Sequence, residues 1–380
     1  MSAVDRGGGI CCNGRVLRGL GLSVTRIYRN IVFLHKAIMK KIQLTGLALA
    51  TLAACAPAWA QSTVTIYGAV DAAVGKDVQV IDSQIQSGKI GLQSSSRVNL
   101  QDSYLGFKGV EDLGGGVKVG FQLEQKLDAS NGVADPEGAF ARTSNIWLGG
   151  SWGRLMLGRS TTPSYNAMAF WDLMGAGNQS IANKSFGSVG FNNLKRQSNQ
   201  VSYRTPQIGG IVLEAAYVPK DENQFAGLNR SKVDLGATYV AGPLVVGAAY
   251  NKTSGLDANF ALGAKYQYQN IEFASAYYQS RNGAFYQDGT LRLVPNAVAE
   301  VNGVTLGVKA TWNNFSAGLD VARETKDEYV VGGVRFDNNK KYTHAVVSGV
   351  YSLSKRTQAY VNYVRWVGVN SYGIGLSHSF

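Results

Sequence analysis

The chain has 380 residues, with 37 Lys/Arg against 25 Asp/Glu, a formal net charge of +12, three Cys and three His. So few thiols and imidazoles exclude a disulfide scaffold and leave little from which to build a cysteine or histidine metal centre. There is no Lys/Arg run and no basic helix, which argues against a nucleic-acid binder.

Residues 1–38 are basic and patternless, with Arg15, Arg18, Arg26, Arg29 and Lys36. They read as a gene-start artefact ahead of translation from Met39, or else as an extended n-region. Met39-Lys40-Lys41, an apolar stretch too short to span a bilayer as a helix, and Ala58-Trp59-Ala60 make a secretory signal peptide over 39–60. Leu52-Ala53-Ala54-Cys55 offers a competing lipoprotein-processing pattern, in which lipidation of Cys55 would anchor the chain. Cleavage after Ala60 removes every cysteine and leaves His344 and His378. It also removes eight Lys/Arg and one Asp, so 29 basic residues face 24 acidic ones in the mature chain.

From Gln61 onward strand follows strand, and residues 61–380 read as one domain. Strands are predicted near 63–75, 98–109, 116–127, 143–150, 153–160, 199–205, 211–219, 231–240, 244–252, 259–269, 271–281, 304–313, 315–325, 342–352, 357–367 and 371–380. Val117-Lys118-Val119-Gly120-Phe121-Gln122-Leu123-Glu124 shows the pattern, with Val, Val, Phe and Leu on one parity and polar or small residues on the other. A soluble sandwich shares that alternation. The connections discriminate. Short ones (Glu111–Gly115, Ser151-Trp152, Asn270, Asn314) alternate with long ones (Lys76–Arg97, Asp128–Arg142, Thr161–Ser198), as the turns and external loops of a membrane barrel do. Sixteen is the even strand number that such a barrel requires. The last strand puts Tyr372, Ile374, Leu376, His378 and Phe380 on one face and Gly373, Gly375, Ser377 and Ser379 on the other, so Tyr372 and Phe380 are expected at the lipid boundary. Aromatics near strand ends, among them Tyr67, Trp147, Tyr217, Tyr239, Tyr278, Trp312, Tyr360 and Trp366, fit interfacial girdles, with ordinary β-propensity accounting for some of them. The fold expected is all-β: a 16-stranded antiparallel transmembrane β-barrel.

Several segments resemble the Gram-negative general porins, the trimeric 16-stranded kind. They are Ala60–Gly68, Leu105-Gly106-Phe107-Lys108-Gly109-Val110-Glu111-Asp112-Leu113-Gly114, Gly153-Arg154-Leu155-Met156-Leu157-Gly158-Arg159, Asn199–Pro206, Leu353–Thr357 and the terminal Phe380. The resemblance implies a multi-pass outer-membrane protein of a Gram-negative bacterium, assembled as a homotrimer. Its expected partners are outer-membrane lipid, lipopolysaccharide, the barrel-assembly machinery, small hydrophilic solutes and inorganic anions. It implies that the third external loop, Thr161–Ser198, folds inward. It also implies arginines on the wall facing that loop. Arg142 and Arg196 match by motif, and Tyr104 stands where the family's Ser-Arg-Leu-Gly has its arginine. Lys118, on the polar face of its strand, Arg159 and the loop's Asp172 complete the expected lining. A solvated charge at the rim is the alternative for each. Fixed positive charge in a narrow lumen favours anions, and opposed acids would add a transverse field.

No cofactor and no catalytic set is expected. Gly153-x4-Gly158-Arg159-Ser160 has Arg where a P-loop has Lys and alternates like a strand. A His-Glu-x-x-His pair is missing from the sequence. The function expected is passive diffusion of small hydrophilic solutes and ions with a weak to moderate anion preference. The alternatives are a substrate-selective channel and a non-conducting structural or adhesin-like barrel.

Overall fold

In a computed structural model the described residues are 63–380 apart from 82–83, 135–137, 188–194, 221–223, 226–227, 256, 282–284, 288–289, 293–297, 332–333 and 338–340. The expected signal peptide and everything before it lie outside them. Sixteen strands build the wall: β1 (Thr63–Lys76), β2 (Ser103–Gly114), β3 (Val117–Leu127), β4 (Thr143–Gly150), β5 (Gly153–Thr161), β6 (Arg196–Arg204), β7 (Ile211–Val218) and β8 (Lys232–Ala241), then β9 (Leu244–Thr253), β10 (Ala258–Tyr268), β11 (Ile271–Arg281), β12 (Val298–Trp312), β13 (Phe315–Val331), β14 (Thr343–Ser352), β15 (Thr357–Trp366) and β16 (Val369–Ser379). Two short strands, Gly91–Gln93 and Val334–Asp337, extend the same sheet into loops. All pairings are antiparallel. β1 joins β2 from Thr63↔Val110 to Ala69↔Tyr104, and β16 from Ala69↔Ser379 to Lys76↔Tyr372, so the sheet closes on itself with no free edge.

Side-chain alternation sets the two surfaces. Leu306 is 68 % and Ile374 66 % exposed on the outside, while their neighbours Thr305 and Gly373 are buried toward the lumen. An outward Leu or Ile costs ~1.5–3 kcal/mol when left in water and is at home in a bilayer. The aromatics divide between the surfaces. Tyr217, Tyr239, Tyr266, Tyr268 and Trp312 face outward, as girdle residues do, but Tyr278, Tyr360 and Trp366 are buried on the inner side. Tyr67 also points inward, donating to Glu124 Oε1 at 2.8 Å. β-Propensity, not interface depth, placed these four.

Between β5 and β6 the chain leaves the wall and enters the lumen. Helix α1 (Pro163–Trp171) begins with Thr162 as N-cap, its hydroxyl accepting from Tyr165 N at 3.2 Å, and with Pro163 in the first turn. Asp234 of β8 fixes this end, accepting from Ser164 N at 2.7 Å and from Ser164 Oγ at 3.0 Å. The helix lies on a belt of missing side chains. A Cβ added at Gly236 would stand 2.8 Å from the Pro163 carbonyl carbon, and one at Gly247 2.7 Å from Trp171 Cδ1. At Gly263 it would stand 2.5 Å from Trp171 Cδ2, at Gly307 2.7 Å from Leu173, and at Gly318 2.8 Å from Met174. The loop therefore lies closer to the wall than any alanine would allow. A second helix, α2 (Ile181–Gly187), seats Ile181 among Ala322, Tyr342, Val346, Val364 and Trp366 on the far side.

One expected strand starts later than its pattern indicated. Residues 98–102 do not extend β2. They fold onto the inner wall, with Val98 packed on Ala73 and Tyr360. The cause is Asp71, fully buried on β1, whose carboxylate draws in Asn99 Nδ2 (2.7 Å), Gln101 N (3.1 Å) and the Tyr360 hydroxyl. A buried carboxylate needs such donors, and satisfying it bends the first loop inward until Ser103.

Candidate functional site

The two inward segments meet. Asn178 of the third loop donates its backbone N–H to Leu100 O at 3.2 Å and its side-chain amide to Asp102 Oδ1 at 3.1 Å. Where they meet, the lumen narrows to a cavity of about 530 Å³ bounded by Asp102, Arg142, Lys195 and Arg196 on one side and by the loop backbone from Leu173 to Gln179. Lys309, Ser316 and Gln358 of the opposite wall close it. Among the described residues, four cations (Arg142, Lys195, Arg196 and Lys309) and one carboxylate, Asp102, line the passage.

The cluster is built from neighbouring strand ends. Arg142 sits just before β4 and reaches Asp102 Oδ2 at 2.5 Å and Glu124 Oε2 at 2.8 Å, while its guanidinium lies 4.3 Å from the centre of the Tyr104 ring. Two acids and an aromatic face hold one fork in place, which suits arginine and not lysine. Tyr104 is therefore a platform under Arg142, standing edge-on to Tyr67 at 6.1 Å. Arg196 opens β6 opposite Thr161, and its buried Nε has no hydrogen-bond partner among the described residues. Lys195 Nζ lies 5.0 Å from the centre of the Tyr165 ring. Burial, together with the positive charges of Arg196 and Arg142, pushes the Lys195 amine down to about 8, with Asp102 opposing. Burial would raise the Asp102 carboxyl, but Arg142, Lys195 and Lys126 outweigh it and hold that group below the ordinary range.

The other expected lining residues lie elsewhere. Asp172 is 3 % exposed and turned away from the passage: it caps the end of α1 and accepts from Ala176 N and Met174 N. Burial raises its carboxyl, the hydrogen bonds from Ser180, Ala176 and Met174 opposing. It folds the loop, and no transverse field is drawn from it. Arg159 lies in the row of Ser144, beside the register shift between Gly158 and Ser160, and bonds back to Ala141 O and, at 2.9 Å, to Ser198 Oγ. Lys118 faces the lumen near the short turns, far from the constriction. Lys309 was missed by sequence reasoning, although it shares the inward parity of Thr305 and Gly307. Asp102 was missed because it was read as part of a strand.

A family model described as Gram-negative porin matches residues 46–366. This chain belongs to the Gram-negative porin family. The porin is 32% identical to outer membrane porin protein 32 of Delftia acidovorans over 336 residues, covering 83% of this chain and 87% of the relative. It is 28% identical to an outer membrane porin protein of Bordetella pertussis, covering 90% of this chain and 100% of that one. Among solved structures, an anion-selective porin from Comamonas acidovorans superposes with a TM-score of 0.64 at 24% identity, over 84% of this chain and 100% of that one. Membership makes this porin a multi-pass outer-membrane channel protein of Gram-negative type and not an enzyme.

Proposed function

We propose that the barrel is a water-filled pore for passive diffusion of small hydrophilic solutes, with a weak to moderate preference for anions, set at the constriction by Arg142, Lys195, Arg196 and Lys309. The observation that carries this is the imbalance there: among the described residues four cations line the cavity with Asp102 as the one lining carboxylate, and with Glu124 behind Arg142 and Glu272 behind Lys309 the acids still number one fewer than the cations. Narrow low-dielectric walls focus such a field, and salt screens it over about 8–10 Å near physiological strength. The relative described as anion-selective supports the same sign. The working assembly is a homotrimer, and the mature chain begins at Gln61 after loss of a signal peptide. Unheated gel mobility with cross-linking, and N-terminal sequencing of the exported protein, check these two points. The deciding experiment is planar-bilayer current in a KCl gradient. Stepwise openings reversing toward the chloride potential support the proposal. Openings that reverse toward potassium reject the assignment of the lining, and a folded barrel without openings rejects the pore.

A further inference from the structure

A second group of cations lies at the opposite end of the lumen, about 23 Å along β5 from the constriction at the strand rise of ~3.3 Å per residue. One transverse row of paired residues reads Asp112, Lys118, Gly149, Arg154, Arg204 and Glu214 across β2 to β7, with an acid at each end and three cations between them. Arg154 and Arg204 are direct cross-strand partners, an arrangement that disfavours the sheet because like charges face each other. Glu214 pairs with Arg204 through Oε1 and accepts from Asn166 Nδ2 of α1 at 2.8 Å through Oε2. Among the described residues neither Arg154 nor Lys118 has an ion-pair partner. The Arg154 guanidinium lies 5.7 Å from the centre of the inward-facing Trp147 ring, within cation–π reach. Gly149 contributes no side chain between Lys118 and Arg154, so the row encloses a hollow of about 640 Å³ floored by indole and backbone.

We infer that this hollow is a second anion subsite, below the constriction on the short-turn side. It takes a doubly charged oxyanion of the phosphate or dicarboxylate class. Two guanidiniums and an ammonium give forked donors on adjoining strands, which match a planar or tetrahedral oxyanion better than a spherical halide. Such a ligand also relieves the Arg154–Arg204 repulsion that the bare wall carries. A solute leaving the constriction would meet this subsite next. The inference rests on the proposed reading of the lumen as an open solute path.

The test uses the purified full assembly in detergent, titrated with sodium phosphate near pH 8 at constant ionic strength in chloride, with tryptophan emission as the readout. A saturable change is expected, abolished in W147F. In R154Q the half-saturating phosphate concentration should rise roughly ten- to hundredfold, as the loss of one charge-assisted contact implies. K118Q, a change at an exposed side chain, carries the same test if R154Q does not assemble. No saturable change, or a folded variant that titrates like the parent, overturns the subsite. Bilayer reversal potentials on the same preparation separate the two proposals. Anion-preferring currents without a phosphate response reject the subsite alone. A phosphate response with cation-preferring currents keeps the subsite and rejects the constriction assignment.

Discussion

Replacing Gly263 by alanine tests whether the third loop is held by the glycine belt. The new Cβ would stand 2.5 Å from Trp171 Cδ2 and 2.7 Å from Nε1, whereas ordinary contact begins at 3.4 Å. Cε2 stands closer still, so the indole must rise about 1 Å from the wall. It has no room to slide sideways. Gly247, the cross-strand partner of Gly263, already meets Cδ1 so closely that its own added Cβ would lie at 2.7 Å. Overpacking of this kind costs ~1–3 kcal/mol. The cost falls on the seated state of α1, so its unseated population should grow roughly 5- to 150-fold. Hydrogen exchange read by mass spectrometry measures it. The amides of Asn166 and Asp172, bonded to Thr162 O and Met168 O, should exchange faster by that factor while those of β9 and β10 keep their protection. Unchanged exchange in α1 would refute the reasoning. Equal loosening of the strands would move the strain into the wall and refute it as well.

Three further outcomes are expected. Arg142→Gln removes a cation from the constriction and takes the guanidinium partner from Asp102 and Glu124, and a unit charge ~5 Å from an ion in water is worth ~0.8 kcal/mol. The chloride-to-potassium permeability ratio should therefore drop by up to about tenfold, and an unmoved reversal potential would take Arg142 out of the ion path. Lys195, with its amine at about 8, is charged below that pH and neutral above it. Anion preference should thus decline between pH 7 and 9, and Lys195→Met should flatten the profile; a parent curve that is already flat would contradict the placement. Tyr360→Phe takes one donor from the buried Asp71 carboxylate, at a cost of about 1–3 kcal/mol. A lower urea midpoint for the barrel in vesicles is expected, and an unchanged midpoint would mean that Asn99 and Gln101 satisfy Asp71 unaided.

The strands were legible because each repeats a two-residue rule imposed by lipid on one side and water on the other. All sixteen expected strands have a counterpart in the wall. Boundaries failed where a side chain outvoted the alternation. Residues 98–102 carry a strand-like pattern, yet Asp71, some thirty positions earlier, draws them inward, and no local signal announces that. The constriction was half legible. Arg142 and Arg196 sit at strand ends that a motif can locate. Asp172 looked like a lumen acid only because the sequence does not say that a helix ends there and uses it as a cap. Lys309 lies on the correct parity, but its approach to the loop depends on how far the barrel curves between β6 and β12. That distance is a property of closure, not of either strand.

The glycine belt has an engineering consequence. The loop is seated partly by atoms the wall lacks, so the groove is a negative cast of α1 and belongs to the barrel rather than to the loop. Residues Leu173 to Gln179, which border the passage, stand outside that cast for most of their length. Apart from Leu173, Met174 and Gly318, the aperture and its fastening are thus specified by different residues. The filter is free to drift in sequence, and to be redesigned, while the tube and its moorings stay as they are.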